Sequence, residues 1–427
     1  MKIAYLTCVY PPYPGGIGVS AQNMAQEMAK RGHGVHVYTP HGGVKSQIPN
    51  PKSQTNSNYQ NPKVHLLRPA VRWGNGAFLP QLLWKLRDFD IIHLLYPFYG
   101  VAELLPLIKK ISRANIIVHH TMDAAYDGWL GHFFTWHTAK LMPRIFACAD
   151  ILFTLSEDFF RASSLAKVYQ ESDNAPPIGF VPNGVDTDLF HPAQELHTTS
   201  YLLPTILFVG GLDRAHYFKG VHVLLAALRM LQWGGVSFKC VIAGDGDLRK
   251  EYEAQAREAD LLVTECWLGK HSVTDSHNTE CFLGDTAAQH SVLGSGVTLA
   301  PGSVEFVGLV PHEKLPPYYQ NAAICVVPST APIENFSITA AEAQACGIPV
   351  VVSDLPGVRL TIEDRVSGYL VRPGDPEDLA TKIFYVLEDR ARAEKMGEAG
   401  RARAVANFNM QVIGDKLQTI YENLRHP

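Results

Sequence analysis

Apolar residues occur along the chain in short continuous runs that alternate with longer stretches of helical periodicity. In the first half of the chain, these runs cover residues 3–8, 35–39, 91–95, 115–119, 151–155 and 179–182. Continuous apolar strands separated by helices are typical of a parallel sheet that is covered on both faces. The pattern therefore predicts an α/β domain.

The same alternation restarts after residues 191–204, which are mostly polar and include two prolines. Further apolar runs cover residues 205–209, 238–243, 304–307, 323–327, 350–353 and 368–371. We therefore predict two doubly wound, Rossmann-like domains, residues 1–195 and 196–408, that face a central cleft. Residues 409–427 are expected to form a helix that crosses back to the first domain.

Length, charge and cysteine content narrow the class of protein. The 427 residues fit two or three domains at about 150 residues each. With 37 basic and 41 acidic side chains, no global positive field attracts nucleic acid. The first apolar run is too short for a secretory signal, and no run approaches the ~18 residues of a membrane span. We therefore expect a soluble, cytoplasmic protein. Seven cysteines are dispersed without C-x-x-C spacing, so we expect no structural disulfides.

Residues 261–301 interrupt the alternation and are rich in Ser, Thr, Gly and His. We expect this segment to be an insertion that forms a surface loop. Five of its side chains are of types that bind zinc: Cys266, His271, His277, Cys281 and His290. Their spacings match no tight ligand pair of a structural zinc site, so a metal site is the weaker alternative.

The segment after the first predicted strand contains glycines that allow a ligand to approach the backbone. Gly15 and Gly16 precede a helix predicted over residues 20–31, whose first N–H groups can bind an anion. The spacing Gly16-x-Gly18-x-x-Ala21 also fits a dinucleotide-binding fingerprint. The second predicted strand, however, ends in Thr39-Pro40-His41 and lacks the acidic residue that holds an adenosine ribose. A nicotinamide-dependent enzyme is therefore a weak alternative.

Residues 328–347 carry two carboxylates in a strand-to-helix connection. Glu334 falls in the loop and Glu342 in a helix predicted to begin at about Ser337, so they can contact different parts of one elongated ligand. Between them, the amides of residues 335–339 form a helix N-terminus, which favours a diphosphate. The alternative is that Glu334 helps to cap the helix and Glu342 is solvated.

A second strand-to-helix connection, residues 208–220, supplies two basic side chains. Arg214 can offer a bidentate fork to phosphate oxygens, and Lys219 a point charge. Isolated surface cations are usually only solvated. Both residues here, however, follow the carboxyl end of a predicted strand, where ligands bind in doubly wound folds.

Taken together, these motifs resemble those of a GT-B retaining glycosyltransferase of glycosyltransferase family 4. The resemblance covers most of both domains except residues 261–301. The matching motifs are Pro14-Gly15-Gly16, Val181-Pro182-Asn183-Gly184-Val185-Asp186, Ile242-Ala243-Gly244-Asp245-Gly246, Phe306-Val307-Gly308, Glu334-x7-Glu342 and Gly347-Ile348-Pro349-Val350-Val351. Several independent motifs in the expected order make the resemblance specific, whereas the two glutamates alone would not.

The resemblance implies roles for the candidate residues of the second domain. Arg214 and Lys219 resemble the basic pair that stabilises the leaving diphosphate. Glu334 resembles the glutamate that contacts the donor sugar, and Glu342 resembles the one that holds the nucleotide ribose. The amides after Glu334 would contact the sugar and phosphate; they belong to Asn335, Phe336, Ser337 and Ile338. The family usually has Gly-Phe-Gly where this chain has Asn-Phe-Ser.

In the first domain, the resemblance implies a histidine beside the reacting sugar and a glycine loop that shapes the cleft. His119 and His120 both end a predicted strand, and we favour His120 because Thr121 follows it. A histidine at a strand end is otherwise often structural. Gly15 and Gly16 are expected to form the loop between the donor and acceptor subsites.

The implied function is retaining transfer of a hexose from a UDP- or GDP-hexose to a hydroxyl group of a sugar or glycolipid acceptor. No metal or other cofactor is expected, because Arg214, Lys219 and the helix start near Ser337 supply positive charge. Three D-x-D sequences, at residues 88–90, 186–188 and 245–247, are interpreted as structural. A nucleotide-sugar epimerase or isomerase and a non-catalytic sugar-nucleotide sensor are the alternatives.

Two aromatic and basic stretches, residues 78–87 and 129–136, leave the acceptor open. Such composition is typical of a helix at a membrane interface, which would suit a glycolipid acceptor and peripheral contact with the inner face of the membrane. The simpler interpretation is that these helices pack on the sheet, because each helix of a doubly wound fold buries one apolar stripe.

Overall fold

The structure is a computed structural model that describes residues 1–11, 15–41, 61–123, 128–172, 174–193, 203–262 and 302–425. The first part of the chain builds one parallel sheet and the second part builds another. The predicted insertion and its zinc alternative fall almost entirely in residues 263–301, which lie outside the described residues.

The elements of the first domain alternate as the sequence predicts. Its strands are β1 (Lys2–Leu6), β2 (Gly34–Pro40), β3 (Lys63–Leu67), β4 (Val71–Trp73), β5 (Gly76–Phe78), β6 (Ile91–Tyr96), β7 (Asn115–His120), β8 (Ile151–Thr154) and β9 (Ile178–Phe180). Its helices are α1 (Gly16–Lys30), α2 (Leu82–Lys85), α3 (Leu105–Ile111), α4 (Gly128–Lys140), α5 (Met142–Phe146), α6 (Glu157–Ala162) and α7 (Ser164–Gln170).

The second part of the chain repeats the alternation. Its strands are β10 (Thr205–Val209), β11 (Phe238–Ala243), β12 (Gly302–Gly308), β13 (Ile324–Val327), β14 (Val350–Ser353) and β15 (Gly368–Val371). Its helices are α8 (Val221–Trp233), α9 (Arg249–Glu258), α10 (Pro316–Gln320), α11 (Ile338–Ala345), α12 (Pro376–Leu387), α13 (Arg390–Asn407) and α14 (Met410–Arg425). All twelve predicted strands are confirmed within a few residues.

Both sheets have the strand order of a doubly wound fold. The first runs β3-β2-β1-β6-β7-β8-β9 and the second β12-β11-β10-β13-β14-β15. The described ladders of both sheets are parallel. The order reverses between β1 and β6 and again between β10 and β13, and ligands bind at such reversals. The loops after these four strands are therefore the places to look for a site.

Strand β1 shows why the apolar runs are continuous. Ile3 and Tyr5 pack into the core that contains residues of α1 and α14, whereas Ala4 and Leu6 face the core formed with α2, α3 and α5. Helices thus cover both faces, and every position of the strand is buried except the first. Strand β3 was not predicted, because it is an edge strand with only Leu67 fully buried and lacks a continuous apolar run.

The C-terminal helix α14 packs against the first domain although it follows the second. Its residues Ile413, Leu417 and Tyr421 are completely buried in the core beneath β1. The hydroxyl of Tyr421 lies 2.9 Å from that of Tyr5 and 2.6 Å from His93 Nδ1. The chain reaches this position through Asn409, which bridges to Val185. The helix therefore links the second domain to the core of the first.

In the described ranges no helix is both long and apolar enough to cross a membrane. Five cysteines lie in those ranges, and each is a free thiol. Cys266 and Cys281 are outside the described residues.

Candidate active site

The loops after β10 and β13 meet at the reversal point of the second sheet and form an ion pair there. Lys219 Nζ donates to Glu334 Oε1 at 2.5 Å, and Ser329 Oγ donates to the other carboxylate oxygen. The carboxylate is almost fully buried, while the Lys219 side chain is 20% exposed. Glu334 is therefore not the helix cap of the structural alternative. It is a buried carboxylate paired with a lysine whose side chain is partly exposed to solvent.

The loop after β10 is shaped to bring Lys219 to this position. Asp213 caps a short 3-10 helix, Arg214–Lys219, by accepting from His216 N. Gly220 follows with φ 76°, and Thr330 N donates to Phe218 O at 2.7 Å. A Cβ atom on Gly220 would collide with Pro328 O, so only glycine permits the two loops to approach so closely.

A matched pair of glycine variants tests this close approach. Gly220→Ala is expected to destabilise the protein by about 2–4 kcal/mol, because it adds a backbone collision to left-handed strain. Gly235 has a similar φ of 75°, but no atom lies within 4 Å of the Cβ that Gly235→Ala would add. We therefore expect Gly235→Ala to lower the free energy of unfolding by only about 1 kcal/mol. Urea unfolding of both variants measures the difference. Equal losses would mean that the contact with Pro328 does not matter.

The helix predicted near Ser337 begins at Ile338, with Ser337 as its N-cap. Ser337 Oγ accepts from Ala340 N, so this side chain caps the helix. Phe336 is buried and packs edge-on against Phe408 at 5.2 Å. The N–H groups of the first turn of α11 have no partners within the helix and give it a partial positive charge. Lys219 and this helix end are thus the positive groups expected around a diphosphate.

Glu342 lies on α11 and is also buried, so the alternative interpretation of Glu342 as a solvated carboxylate is wrong. His312 Nε2 lies 2.5 Å from Glu342 Oε1, and Tyr319 OH donates to Oε2 at 2.7 Å. Burial raises the pKa of Tyr319 well above its usual value, so the phenol stays a donor. Neither partner was evident from the sequence, because both precede β13 and come close to Glu342 through packing.

On the first domain, His120 and His119 end β7 and lie on opposite faces of the sheet, as alternate residues of a strand must. His119 Nδ1 lies 3.3 Å from His93 Nε2, on the face covered by α14. Burial lowers the pKa of His119 to about 3. His120 stacks on Phe159 of α6 at 5.5 Å, and its Nε2 lies 3.1 Å from Asp123 Oδ1.

Asp123 is the residue that orients His120. Burial alone would raise the pKa of Asp123, but hydrogen bonds from His120 and from the backbone and hydroxyl of Ser164 outweigh it and lower that pKa. The carboxylate therefore stays ionised beside the imidazole. His120 Nδ1 is buried without a hydrogen-bond partner in the described part of the chain.

Helix α6 and the glycine loop join the two domains at the cleft. Asp158 of α6 accepts from Gly357 N at 2.9 Å, and Gly357 lies directly against the backbone of Asn335. At a second contact between the domains, α1 begins at Gly16, where a Cβ atom would lie 3.5 Å from Ile338 Cδ1. Gly15 precedes it with φ 156°. The glycine loop of the first domain thus contacts the start of α11.

Arg214 and the D-x-D sequences have other surroundings. The Arg214 side chain is 81% exposed, and its Nε lies 3.5 Å from Asp247 Oδ2.

At least one carboxylate of each D-x-D sequence accepts from backbone N–H groups: Asp90 from Lys2, Asp186 from Asp188 and Leu189, and Asp247 from Arg214. These contacts agree with the structural interpretation. Among the described residues, no group of three or more His, Cys, Asp or Glu is arranged to hold a metal ion.

Two family models match the chain in the order of its domains. The model described as Glycosyltransferase Family 4 matches residues 14–189, and the model described as Glycosyl transferases group 1 matches residues 298–403. Together they cover well over half of the chain.

Similar proteins extend over nearly the full length. The phosphatidyl-myo-inositol mannosyltransferase of Mycobacterium tuberculosis is 26% identical over 96% of this chain and 94% of its own length. The D-inositol 3-phosphate glycosyltransferase 1 of Catenulispora acidiphila is 28% identical over 82% of this chain and 75% of its own.

Solved structures share the fold. The sucrose-phosphate synthase of Thermosynechococcus elongatus superimposes with a TM-score of 0.68 at 21% identity, over 99% of this chain and 98% of that one. Anabaena HepE in complex with UDP and glucose has a TM-score of 0.68 at 18% identity, over 99% of both chains. The predicted fold class is confirmed, and the chain belongs to the GT-B glycosyltransferases of family 4, the glycosyl transferases group 1.

Proposed function

We propose that this glycosyltransferase moves a hexose from a UDP- or GDP-hexose to a hydroxyl group of a sugar or glycolipid, with retention of configuration and without a metal ion. The observation that carries the proposal is the Lys219–Glu334 pair beside the N-terminus of α11. Anabaena HepE, which has the same fold, has been solved with UDP-glucose. This similarity supports a nucleoside diphosphate hexose as the donor.

The chemistry follows from where charge develops. Breaking the anomeric bond builds negative charge on the diphosphate and positive character on the sugar. The Lys219 ammonium has three N–H donors, so it can keep Glu334 and still bind a phosphate oxygen. The first N–H groups of α11, worth roughly half a positive charge, stabilise the same oxygens. In this proposal Glu334 accepts from hydroxyls of the donor sugar, and His120 is the histidine beside the reacting sugar.

Retention is part of the proposal, because the motifs of this chain resemble those of a retaining family. Attack on the front face, assisted by the leaving phosphate, needs no protein nucleophile. Closure of the domains around the donor would exclude water from the reaction. The coupling constant of the anomeric proton in the product distinguishes retention from inversion.

Thermal unfolding in EDTA with excess UDP, GDP or ADP tests the donor site. A ligand at 100 times its Kd adds ~2.7 kcal/mol to the native state, which gives a clear rise in Tm. We expect one of UDP and GDP to raise Tm in wild type, and Glu342→Ala to weaken that rise. No rise with any nucleotide would contradict the donor site, and a rise only after adding Mg²⁺ would contradict metal independence.

Product analysis separates the rival functions. A glycosyltransferase releases free nucleoside diphosphate as the sugar leaves, whereas an epimerase or isomerase keeps the sugar on the nucleotide. A sensor binds the donor and releases nothing. We expect stoichiometric release of UDP or GDP once an acceptor is present.

We extend the proposal to a glycolipid acceptor presented at a membrane surface. Helix α4 exposes two aromatic side chains, Phe133 (40%) and Trp136 (52%), whose rings lie 6.1 Å apart. Lys140 and Arg144 follow these rings closely in the sequence. Both are exposed and would attract anionic lipid. The sheet-packing interpretation accounts for the buried His137 but not for these two rings.

Co-sedimentation with vesicles that contain anionic lipid tests this surface. The double variant Phe133→Ser/Trp136→Ser is expected to lower the bound fraction at low salt by about tenfold, because it removes the apolar contact. Trp233→Ser is the matched control, since Trp233 is 71% exposed on the second domain. Binding that is lost equally in both variants, or absent in wild type, would contradict the proposal.

A further inference from the structure

The carboxylate of Glu342 has two protein hydrogen-bond donors of different character. Tyr319 is completely buried, and its hydroxyl is 2.7 Å from Oε2. His312 is 2.5 Å from Oε1, and its side chain is 29% exposed. A buried carboxylate without such donors would be strongly disfavoured. Of the two donors, His312 is the one that stands between Glu342 and solvent.

The imidazole of His312 is fixed in place by its neighbours. His312 starts a 3-10 turn, His312–Lys314, in the connection that follows β12. The ring of Phe190 lies 5.1 Å from the imidazole and 5.7 Å from the ring of Tyr319. Arg401 of α13 donates to Phe190 O at 3.0 Å and to Ala345 O of α11 at 2.7 Å, and so holds this segment against α11. The histidine is therefore packed on one face and hydrogen-bonded at one edge.

The charges around His312 favour the imidazolium. Burial alone would lower the pKa of His312, but the hydrogen bond and charge of Glu342, with Glu313 and Asp186 nearby, outweigh it and raise that pKa. Glu342 comes from α11, Asp186 from the segment after β9 and Glu313 from the turn of His312 itself. Tyr319 of α10 donates to the other oxygen of Glu342. The contact is thus a charge-assisted hydrogen bond.

The acceptor capacity of Glu342 leaves room for a ligand. An ionised carboxylate has about four lone-pair positions, and His312 and Tyr319 each use one. Two positions remain, which is the number that the vicinal hydroxyls of a ribose require. Because the two protein donors occupy one oxygen each, one lone pair per oxygen is left.

We propose that His312 is the positioning residue of a ribose subsite, where it holds Glu342 so that the carboxylate accepts from both vicinal hydroxyls of the donor nucleoside. The proposal rests on the proposed function, in which Glu342 binds the ribose. His312 acts through Glu342 and does not touch the reacting atoms. Its effect is on affinity for the nucleoside, and not on the chemical step.

Isothermal titration with a nucleotide and its 2′,3′-dideoxy analogue tests this role. The nucleotide is whichever of UDP or GDP raises the Tm of wild type. If each ribose hydroxyl raises the affinity about tenfold, wild type should bind the ribonucleotide roughly 100-fold more tightly than the dideoxy analogue. His312→Ala should reduce the preference to about fivefold or less while leaving affinity for the dideoxy analogue unchanged. His312→Gln, which keeps a donor, should restore most of it.

Kinetics and pH provide independent readouts. In His312→Ala the KM for the donor should rise about tenfold or more with kcat unchanged. The wild-type preference should fall as pH rises through the raised pKa of His312, whereas that of His312→Gln should stay flat. His191→Ala is the control, because the hydrogen bond that its side chain makes in the described part of the chain is to the carbonyl of the adjacent Pro192.

Three results would overturn the proposal. The first is a His312→Ala variant that keeps the ribose preference. The second is a variant that loses affinity for both nucleotides equally, which indicates a merely structural role. The third is a fall in kcat with an unchanged donor KM. A wild-type protein that binds neither UDP nor GDP contradicts the proposed function instead, so the two failures are distinguishable.

Discussion

Replacement of Lys219 by methionine is expected to lower kcat by about 100- to 1000-fold, the usual loss when one preorganised charge-stabilising group is removed. Lys219 is the cation that contacts Glu334 at 2.5 Å and stays partly exposed to the cleft. In the proposed mechanism, the loss of Lys219 leaves the departing diphosphate with the N-terminus of α11 as its positive partner among the described residues. Initial rates of nucleoside diphosphate release at saturating donor measure the effect.

Stability controls separate the chemical loss from a folding defect. Lys219→Met leaves the buried carboxylate of Glu334 with Ser329 as its remaining partner, so we expect a loss of about 1–3 kcal/mol in the free energy of unfolding. The double variant Lys219→Met/Glu334→Gln removes that charge and should regain most of the stability but none of the activity. A double variant that regains activity would contradict the role of the pair.

Arg214→Met is the informative comparison for Lys219. Both residues were predicted to bind the diphosphate, but the Arg214 side chain is 81% exposed and pairs with Asp247. Exposed ion pairs contribute little, and a freely solvated guanidinium is poorly preorganised. We therefore expect a loss of tenfold or less. A loss as large as that of Lys219→Met would mean that the loop after β10 closes on the donor.

Deletion of α14 is expected to prevent the first domain from folding. The deletion removes Ile413, Leu417 and Tyr421, all completely buried, together with Met410. At about 1.5–3 kcal/mol for each buried side chain, the loss is comparable to the whole stability of a typical domain, about 5–15 kcal/mol. Soluble yield, circular dichroism and limited proteolysis of a chain that ends at residue 408 measure this.

Two point variants on α14 serve as controls. Tyr421→Phe keeps the buried ring but leaves Tyr5 and His93 without their shared partner, so we expect a loss of about 1–2 kcal/mol. Lys416→Ala lies on the exposed side of the same helix and should stay within about 0.5 kcal/mol of wild type. A truncated chain that folds with an intact first domain would show that the helix is only an accessory.

The architecture was predictable because both sheets are covered on two faces. Every central strand then appears in the sequence as a continuous apolar run, and the alternation restarts once, at the passage between the domains. The edge strand β3 escaped this signal because most of its side chains are exposed. The positions of Lys219, Glu334 and Glu342 also followed from the sequence, since each comes shortly after a strand of the predicted sheet.

Partners and faces were decided only by the tertiary structure. The sequence places His119 and His120 on opposite faces of β7, but only packing brings α14, some 300 residues away, over the face of His119. The contacts of Glu342 with His312 and Tyr319 likewise join three separate elements. The sequence by itself thus determined the strands and the loops that carry the chemistry, because burial and turn geometry are local signals. Hydrogen-bond partners depend on long-range packing, which no local pattern encodes.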